Sequence, residues 1–285
     1  MSATVGALLA DAASLIRANP AAAPRTDAEI LLAHVLDLSR TQLWTRPEAV
    51  VCPAAADTVL ALARRRAAGE PIAYLVGRRA FWSLELEVGP AVLIPRPESE
   101  LLVEQALDLL PASASAQVAD LGTGSGAIAL ALAAERPAWR IVATDASGEA
   151  LALARRNAAR LGLAVDFRQG DWAGALRPGE AFDLVASNPP YVAEGDPHLA
   201  AGDLPWEPMA ALAAGADGLD AIRRIAPAAM AHLRAGGWLL LEHGADQGAA
   251  VRAVLEAAGF GAIGTLRDLA GLERVTRGRR AGASA

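Results

Sequence analysis

The chain has 285 residues, 53% hydrophobic and only 4% aromatic, which is enough for one large domain or two unequal ones around a core of Ala, Leu and Val. Its formal net charge is −6, against a broad basic footprint for nucleic acid, and every basic residue apart from histidine is arginine. The single cysteine, Cys52, excludes an intrachain disulfide and a cysteine zinc cluster; no leader-like start and no stretch of ~20 apolar residues is evident, so a cytoplasmic protein with no metal and no membrane contact is expected.

Residues 3 to about 68 read as helices. Val5, Leu8, Leu9, Ala12, Leu15 and Ile16 follow helical spacing up to Asn19-Pro20. Thr26-Asp27-Ala28-Glu29 has capping-box spacing ahead of Ile30, Leu31, Leu32, Val35 and Leu36, and Pro53 opens a further helix through Ala67. Cys52, just before that proline, reads as an inert small hydrophobe. Arg64-Arg65-Arg66 reads as a solvated helix end that complements the helix dipole. Nothing here carries a catalytic constellation, so the expectation is a helical domain over 1–72 that docks a macromolecular substrate.

From Tyr74 to Ile94 the pattern turns to strand. Leu84, Leu86 and Val88 alternate with Glu85 and Glu87, which reads as a hairpin linker over 73–96 delivering Ile94-Pro95-Arg96-Pro97 to the site region. Pro97-Glu98-Ser99-Glu100 starts a helix through Leu110, and Pro111 to Ser115 reads as a loop. Strands then alternate with helices at about 117–121, 140–145, 165–169, 182–187 and 237–242, the pattern of a mostly parallel sheet covered on both faces. Strands near 262–268 and 273–277 suggest an antiparallel edge hairpin, and 278–285 a frayed tail.

Several of these strands end in groups that carry chemistry. The apolar run Val118-Ala119-Asp120-Leu121 passes through Gly122-Thr123-Gly124-Ser125-Gly126 into Ala127-Ile128-Ala129. This is a strand, tight turn and helix of the nucleotide-binding kind, with helix N–H groups directed at an anion. Arg140 to Thr144 ends in Asp145, placed where a carboxylate grips ribose hydroxyls. Val165 to Gln169 ends in Gly170-Asp171-Trp172, an acid and an indole suited to an adenine amino group and its ring. Phe182 to Ser187 stops at Asn188-Pro189-Pro190-Tyr191. Two prolines stiffen that turn and leave it rich in acceptors, which suits a planar NH2 group with two donors, and Tyr191 offers it an aromatic wall. The glycines alone admit a nicotinamide dinucleotide. S-Adenosylmethionine fits better, because of the third glycine, the Asp171-Trp172 pair and a turn for which hydride transfer has no use.

Together these residues resemble the peptide chain release factor N5-glutamine methyltransferases. The resemblance extends over roughly 65–280 through Gly69-Glu70-Pro71-Ile72, Phe81-Trp82-Ser83-Leu84, Leu93-Ile94-Pro95-Arg96-Pro97-Glu98, Trp206-Glu207-Pro208, Gly215 to Leu219 and Leu240-Leu241-Glu242-His243-Gly244. Asn-Pro-Pro-Tyr is shared with adenine-N6 and cytosine-N4 DNA methyltransferases, whereas Ile-Pro-Arg-Pro-Glu ahead of the glycine loop separates this family from them. The resemblance implies a class I S-adenosylmethionine-dependent methyltransferase fold (Rossmann-like) over 97–285, preceded by the small helical domain. It implies an enzyme that methylates the glutamine of the Gly-Gly-Gln motif in class I release factors; a monomer is expected. Gly122, Thr123, Gly124, Ser125, Gly126, Asp145, Asp171, Trp172 and Asn188 are expected to bind the cofactor. Asn188, Pro189, Pro190, Tyr191, Pro95 and Arg96 are expected to hold the substrate, with Asn188, Pro189 and Tyr191 catalytic. Glu207, Glu242 and His243 are candidates for a general base, none compelling. The alternatives are a methyltransferase acting on a base amino group in nucleic acid, or a nucleoside- or dinucleotide-binding protein on the same fold.

Overall fold

The computed structural model describes residues 3–112 and 115–282, in two compact units: Met1–Arg78 with Pro197–Trp206, and Arg79–Asp196 with Glu207–Ala285. Ser113 and Ala114 of the expected loop, and the last three residues of the expected tail, lie outside the described residues.

In the first unit, β1 (Ala3–Thr4) leads into α1 (Val5–Ile16), and α2 (Pro24–Leu36) and α3 (Arg40–Thr45) follow. Then come β2 (Val50–Val51), paired antiparallel with β1, α4 (Pro53–Ala67) and α5 (Ile72–Val76). Val5, Leu8, Ala12 and Ile16 form one buried stripe on α1 and share a core with Leu31 and Leu32 of α2, Val59 and Ala63 of α4 and Leu75 of α5.

Four readings of the sequence change here. The box over Thr26–Glu29 does not form, because Pro24 already starts α2 with the φ a first helical turn needs. Asp27 and Glu29 are instead buried ion-pair partners, Glu29 receiving Arg25, Arg40 and the Trp44 indole. The capping box that does form joins Ser39 and Gln42 and opens α3, a helix the periodicity did not reveal. Tyr74 sits in α5 and not in a strand: Pro71 precedes this short helix and Gly77, at φ 71°, closes it. Arg66 is 4% exposed and not a solvated helix end. Its guanidinium donates to Asp27 at 2.8 Å, to Asp203 at 2.8 Å and to the Glu70 carbonyl at 3.0 Å. Burial of a lone guanidinium costs several kcal/mol, and the two carboxylates offset that cost. Asp203 belongs to Pro197–Trp206, so the chain re-enters this unit well over a hundred residues after leaving it. Cys52 is exposed.

The second unit starts with a hairpin of β3 (Arg78–Phe81), whose first residue is the last of the other unit, and β4 (Leu84–Glu87). A 3-10 turn at Pro97–Ser99 leads into α6 (Glu100–Leu109). The alternating part is β5 (Gln117–Leu121), α7 (Ala127–Glu135), β6 (Arg140–Asp145), α8 (Gly148–Leu161), β7 (Asp166–Gln169), β8 (Phe182–Ser187), α9 (Asp220–His232), β9 (Leu233–Glu242), α10 (Gly248–Ala257), β10 (Gly261–Arg267) and β11 (Glu273–Arg279). The order across the seven-stranded sheet is β10-β11-β9-β8-β5-β6-β7; pairing is parallel from β7 to β9, and β11 and β10 close one edge antiparallel. The edge hairpin is the one the sequence predicts, but β11 continues to Arg279, so the expected tail is strand at its start.

Side chains alternate between two cores, as a sheet buried on both faces requires. Val118, Ile141, Leu184 and Leu240 join the core with α6 and α7, while Ala119, Val142, Val185, Leu239 and Leu241 join the one with α9 and α10. Strand order reverses between β5 and β8, where their carboxyl ends open a crevice suited to a ligand. There the buried Ser187 hydroxyl donates to the Leu121 carbonyl at 2.6 Å and ties the two strand ends together.

Candidate active site

One cavity of about 670 Å3 opens at these strand ends, within the ~300–1,000 Å3 range of cofactor sites. All its lining residues belong to the second unit. The glycine loop forms one wall. Gly122 and Thr123 both donate N–H to the Thr144 carbonyl at 2.9 Å, Gly124 donates to Asp145 Oδ2 at 2.9 Å, and Gly126 to the Thr123 carbonyl at 2.9 Å. The backbone N–H groups of Ser125, Ala127 and Ile128 have no acceptor among the described residues, and all three residues line the cavity. They lie at the start of α7, where an anionic group is favoured.

Beneath the loop, Asp120 is fully buried, its Oδ2 accepting from the Thr123 hydroxyl at 2.6 Å and from the Ala129 N–H at 3.3 Å. Oδ1 has no partner among the described residues, and burial pushes the carboxyl up to about 7. Asn157 of α8, also fully buried, donates to the carbonyls of Ser125 and Glu87 at 3.0 Å each and accepts from the Glu87 N–H at 2.7 Å. It thereby fixes the hairpin to the loop.

Asp145 lies beside the loop with each oxygen on a backbone N–H, Gly124 at 2.9 Å and Ser147 at 2.8 Å, and each oxygen keeps lone-pair capacity for a ligand. Trp172 lies against Gly122, so close that a β-carbon there would stand 2.7 Å from its ring. Asp171 lines the cavity and pairs with Arg224, an exposed contact across to α9. The size of the cavity, its wall of N–H donors, a carboxylate and an indole are groups of a chemistry that fits S-adenosylmethionine.

The Asn-Pro-Pro-Tyr turn closes the cavity from β8. Asn188 and Pro190 line it, and Asn188 Nδ2 donates to the Ser99 hydroxyl at 2.8 Å, which turns Oδ1 away from Ser99. Pro189 is buried and Tyr191 is half-buried; neither is among the lining residues, nor are Gly126 and Arg96, whereas Pro95 is. The Tyr191 hydroxyl donates to Glu242 Oε1 at 3.3 Å, and burial beside that carboxyl raises the phenol's pKa. Arg96 pairs with Glu207, which also accepts the Ile94 N–H at 2.9 Å.

Of the three base candidates, Glu207 is therefore committed to the Ile94–Arg96 segment. His243 is fully buried: its Nδ1 faces the Gly244 carbonyl at 2.8 Å and so carries the proton, while Nε2 meets the Thr276 hydroxyl at 2.8 Å. Burial lowers its pKa, so it is a neutral structural histidine. Glu242 is also fully buried, and burial raises its carboxyl to about 7 against the lowering effect of the nearby Ser99 hydroxyl and the charge of Arg274. Neither His243 nor Glu242 lines the cavity.

Comparison with known proteins agrees across both units. Residues 7–77 match the PrmC N-terminal domain, and 97–203 match the methyltransferase small domain. A release factor glutamine methyltransferase of Xylella fastidiosa (strain Temecula1) is 56% identical over 256 residues, 90% of this chain and 93% of that protein. One from Burkholderia pseudomallei is 54% identical over 279 residues, 96% of this chain and 97% of that protein. Among solved structures, a methyltransferase from Pyrococcus furiosus shares the fold with a TM-score of 0.54 at 20% identity, over 72% of this chain and 92% of that one.

Proposed function

Because the chain belongs to the release factor glutamine methyltransferase family, we propose that it transfers a methyl group from S-adenosylmethionine to the side-chain amide nitrogen of the glutamine in the Gly-Gly-Gln motif of class I release factors. The observation that carries this reading is the meeting, in one cavity, of the glycine loop after β5 and the Asn-Pro-Pro turn after β8. The cofactor supplies a methyl group made electrophilic by its sulfonium.

An amide nitrogen is a poor nucleophile, because its lone pair is delocalised into the carbonyl. Asn188 Oδ1 and the Pro189 carbonyl accept the two N–H bonds of the substrate amide, fix its plane and stabilise the positive charge that grows on nitrogen. Tyr191 stiffens the turn through its bond to Glu242, and the two prolines hold the acceptors in place. Ser125, Ala127 and Ile128 offer N–H groups to the cofactor carboxylate, Asp145 accepts from its ribose and Trp172 stacks on its adenine. The helical unit docks the release factor, and the place of action is the cytoplasm, where that substrate works.

The direct test is mass spectrometry of a class I release factor incubated with the protein and S-adenosylmethionine. One added methyl group on the motif glutamine is expected. An unmodified glutamine, with methyl groups appearing on nucleic acid supplied in parallel, would overturn the reading.

A further inference from the structure

Asn188 can serve as an acceptor for the substrate only if its carbonyl oxygen, and not its NH2, faces the reacting amide. An asparagine side chain turns over with little change of shape, so something must fix its sense. The structure holds such a device behind the turn. Ser99, 4% exposed at the end of the Pro97–Ser99 turn, receives the Asn188 NH2 at 2.8 Å. Near that hydroxyl stands the carboxyl of Glu242, fully buried at the end of β9, whose Oε1 is held by Tyr191 at 3.3 Å and whose Oε2 has no hydrogen-bond partner among the described residues.

We propose that Ser99 and Glu242 are positioning residues that set the polarity of Asn188. Once ionised, above about pH 7, the Glu242 carboxyl has acceptors only, one of them unpartnered, so it draws the single proton of the Ser99 hydroxyl toward itself. Ser99 can then only accept from Asn188, the NH2 must turn inward, and Oδ1 is left for the cavity. Removal of either partner frees the amide to present donors to a substrate group that is itself a donor. This rests on the reading that Asn188 Oδ1 receives the substrate amide. It adds that the Ile-Pro-Arg-Pro-Glu-Ser segment, whose Pro95 and Ser99 line the cavity, reaches the chemistry through Ser99.

The test is a double-mutant cycle on the full chain with a release factor and S-adenosylmethionine, reading kcat, KM for each substrate and calorimetric affinity for the cofactor. Ser99→Ala should lower kcat by roughly 10–100-fold, below the ~10²–10³-fold of a deleted transition-state partner, because misorientation is partial. Cofactor affinity should stay within about twofold, since Ser99 is not among the groups assigned to it. Ser99→Thr keeps the hydroxyl and should restore most of the rate. Glu242→Gln retains the shape but can donate to Ser99, and should lower kcat in the same way without weakening cofactor binding. In an Asn188→Ala background neither change should cost anything further. Wild-type turnover in Ser99→Ala and Glu242→Gln, or equal losses with and without Asn188, would overturn the proposal while leaving the glutamine reading intact. Wild-type turnover in Asn188→Ala would overturn that reading itself.

Discussion

The tightest packing in the cavity wall gives the sharpest test of the cofactor site. Alanine at Gly122 would place its β-carbon 2.7 Å from Trp172 Cζ3 and 3.4 Å from Cη2. Carbon atoms settle at ~3.5–4.0 Å, so the indole must withdraw by about 1 Å. Residue 122 also has φ 76°, which costs an L-residue other than glycine roughly 1–2 kcal/mol. For a unit of this size that corresponds to a melting temperature lower by about 2–8 °C, and the fold should survive. The larger effect falls on binding. A base stacked on an aromatic side chain is worth ~1–3 kcal/mol, so a displaced indole should weaken S-adenosylmethionine by about 5- to 150-fold. Calorimetric titration of Gly122→Ala, Trp172→Ala and the double variant separates the causes. If the clash acts through the indole, the glycine change should cost much less binding once Trp172 is gone. Undiminished affinity in Gly122→Ala would refute the assignment of Trp172 to the adenine.

Other perturbations probe other parts of the frame. Asp145→Ala removes the acceptor for the Gly124 and Ser147 N–H groups and the one proposed for the ribose; at ~1.5–3 kcal/mol for a hydrogen bond to a charged group, cofactor affinity should fall at least tenfold, and unchanged calorimetry would remove Asp145 from the site. Arg66→Met leaves Asp27 buried without its cation and should destabilise the first unit by ~3–5 kcal/mol in urea unfolding; a loss under about 1 kcal/mol would mean that the ion pairs contribute little. The Glu242 carboxyl, raised from 4.5 to about 7 by burial, keeps a proton in the folded chain that the unfolded chain releases, so its contribution is full below about pH 4.5 and is lost as pH rises to about 7. Asp120 acts with the same sign and His243, whose pKa is lowered, with the opposite one. Unfolding free energies from urea titration at about pH 5 and about pH 8 should therefore differ less in Glu242→Gln than in the parent chain, by on the order of 1–3 kcal/mol, and equal differences would refute the assignment.

Sequence pattern alone located the sheet well, for a physical reason. Parallel strands buried on both faces are short apolar runs, and here Asp145, the Gly122–Gly126 turn and the two prolines after Asn188 mark where those runs end. The same markers are chemical, so the cavity wall was legible together with the strands. Less legible were features built by contacts between distant residues. Arg66 looks like one of three solvated arginines until Asp203, 137 positions later, pairs with it. Ser99 reads as part of a helix start, and only the fold brings it to Asn188, 89 positions away. Asn157 falls in a helix with no motif around it, yet it joins the hairpin to the glycine loop. The helix α5 was missed because five residues are too few to display a period, and α2 was given the wrong cap because Pro24 outranked the spacing of Thr26 and Glu29.

The return of Pro197–Trp206 to the helical unit bears on how such a protein can be taken apart or assembled. A helical unit encoded in one stretch could be exchanged as a cassette by a single break near residue 78. This one also owns a stretch of chain issued just after the Asn-Pro-Pro-Tyr turn, and Asp203 in it is a partner of Arg66. Loss of residues 1–68 would therefore strand that excursion and leave a carboxylate that evolved beside a buried guanidinium. Grafting of a foreign helical unit in its place would require a matching graft at 197–206. An exchange that respects every join, at 78/79, 196/197 and 206/207, therefore needs three crossovers in one gene.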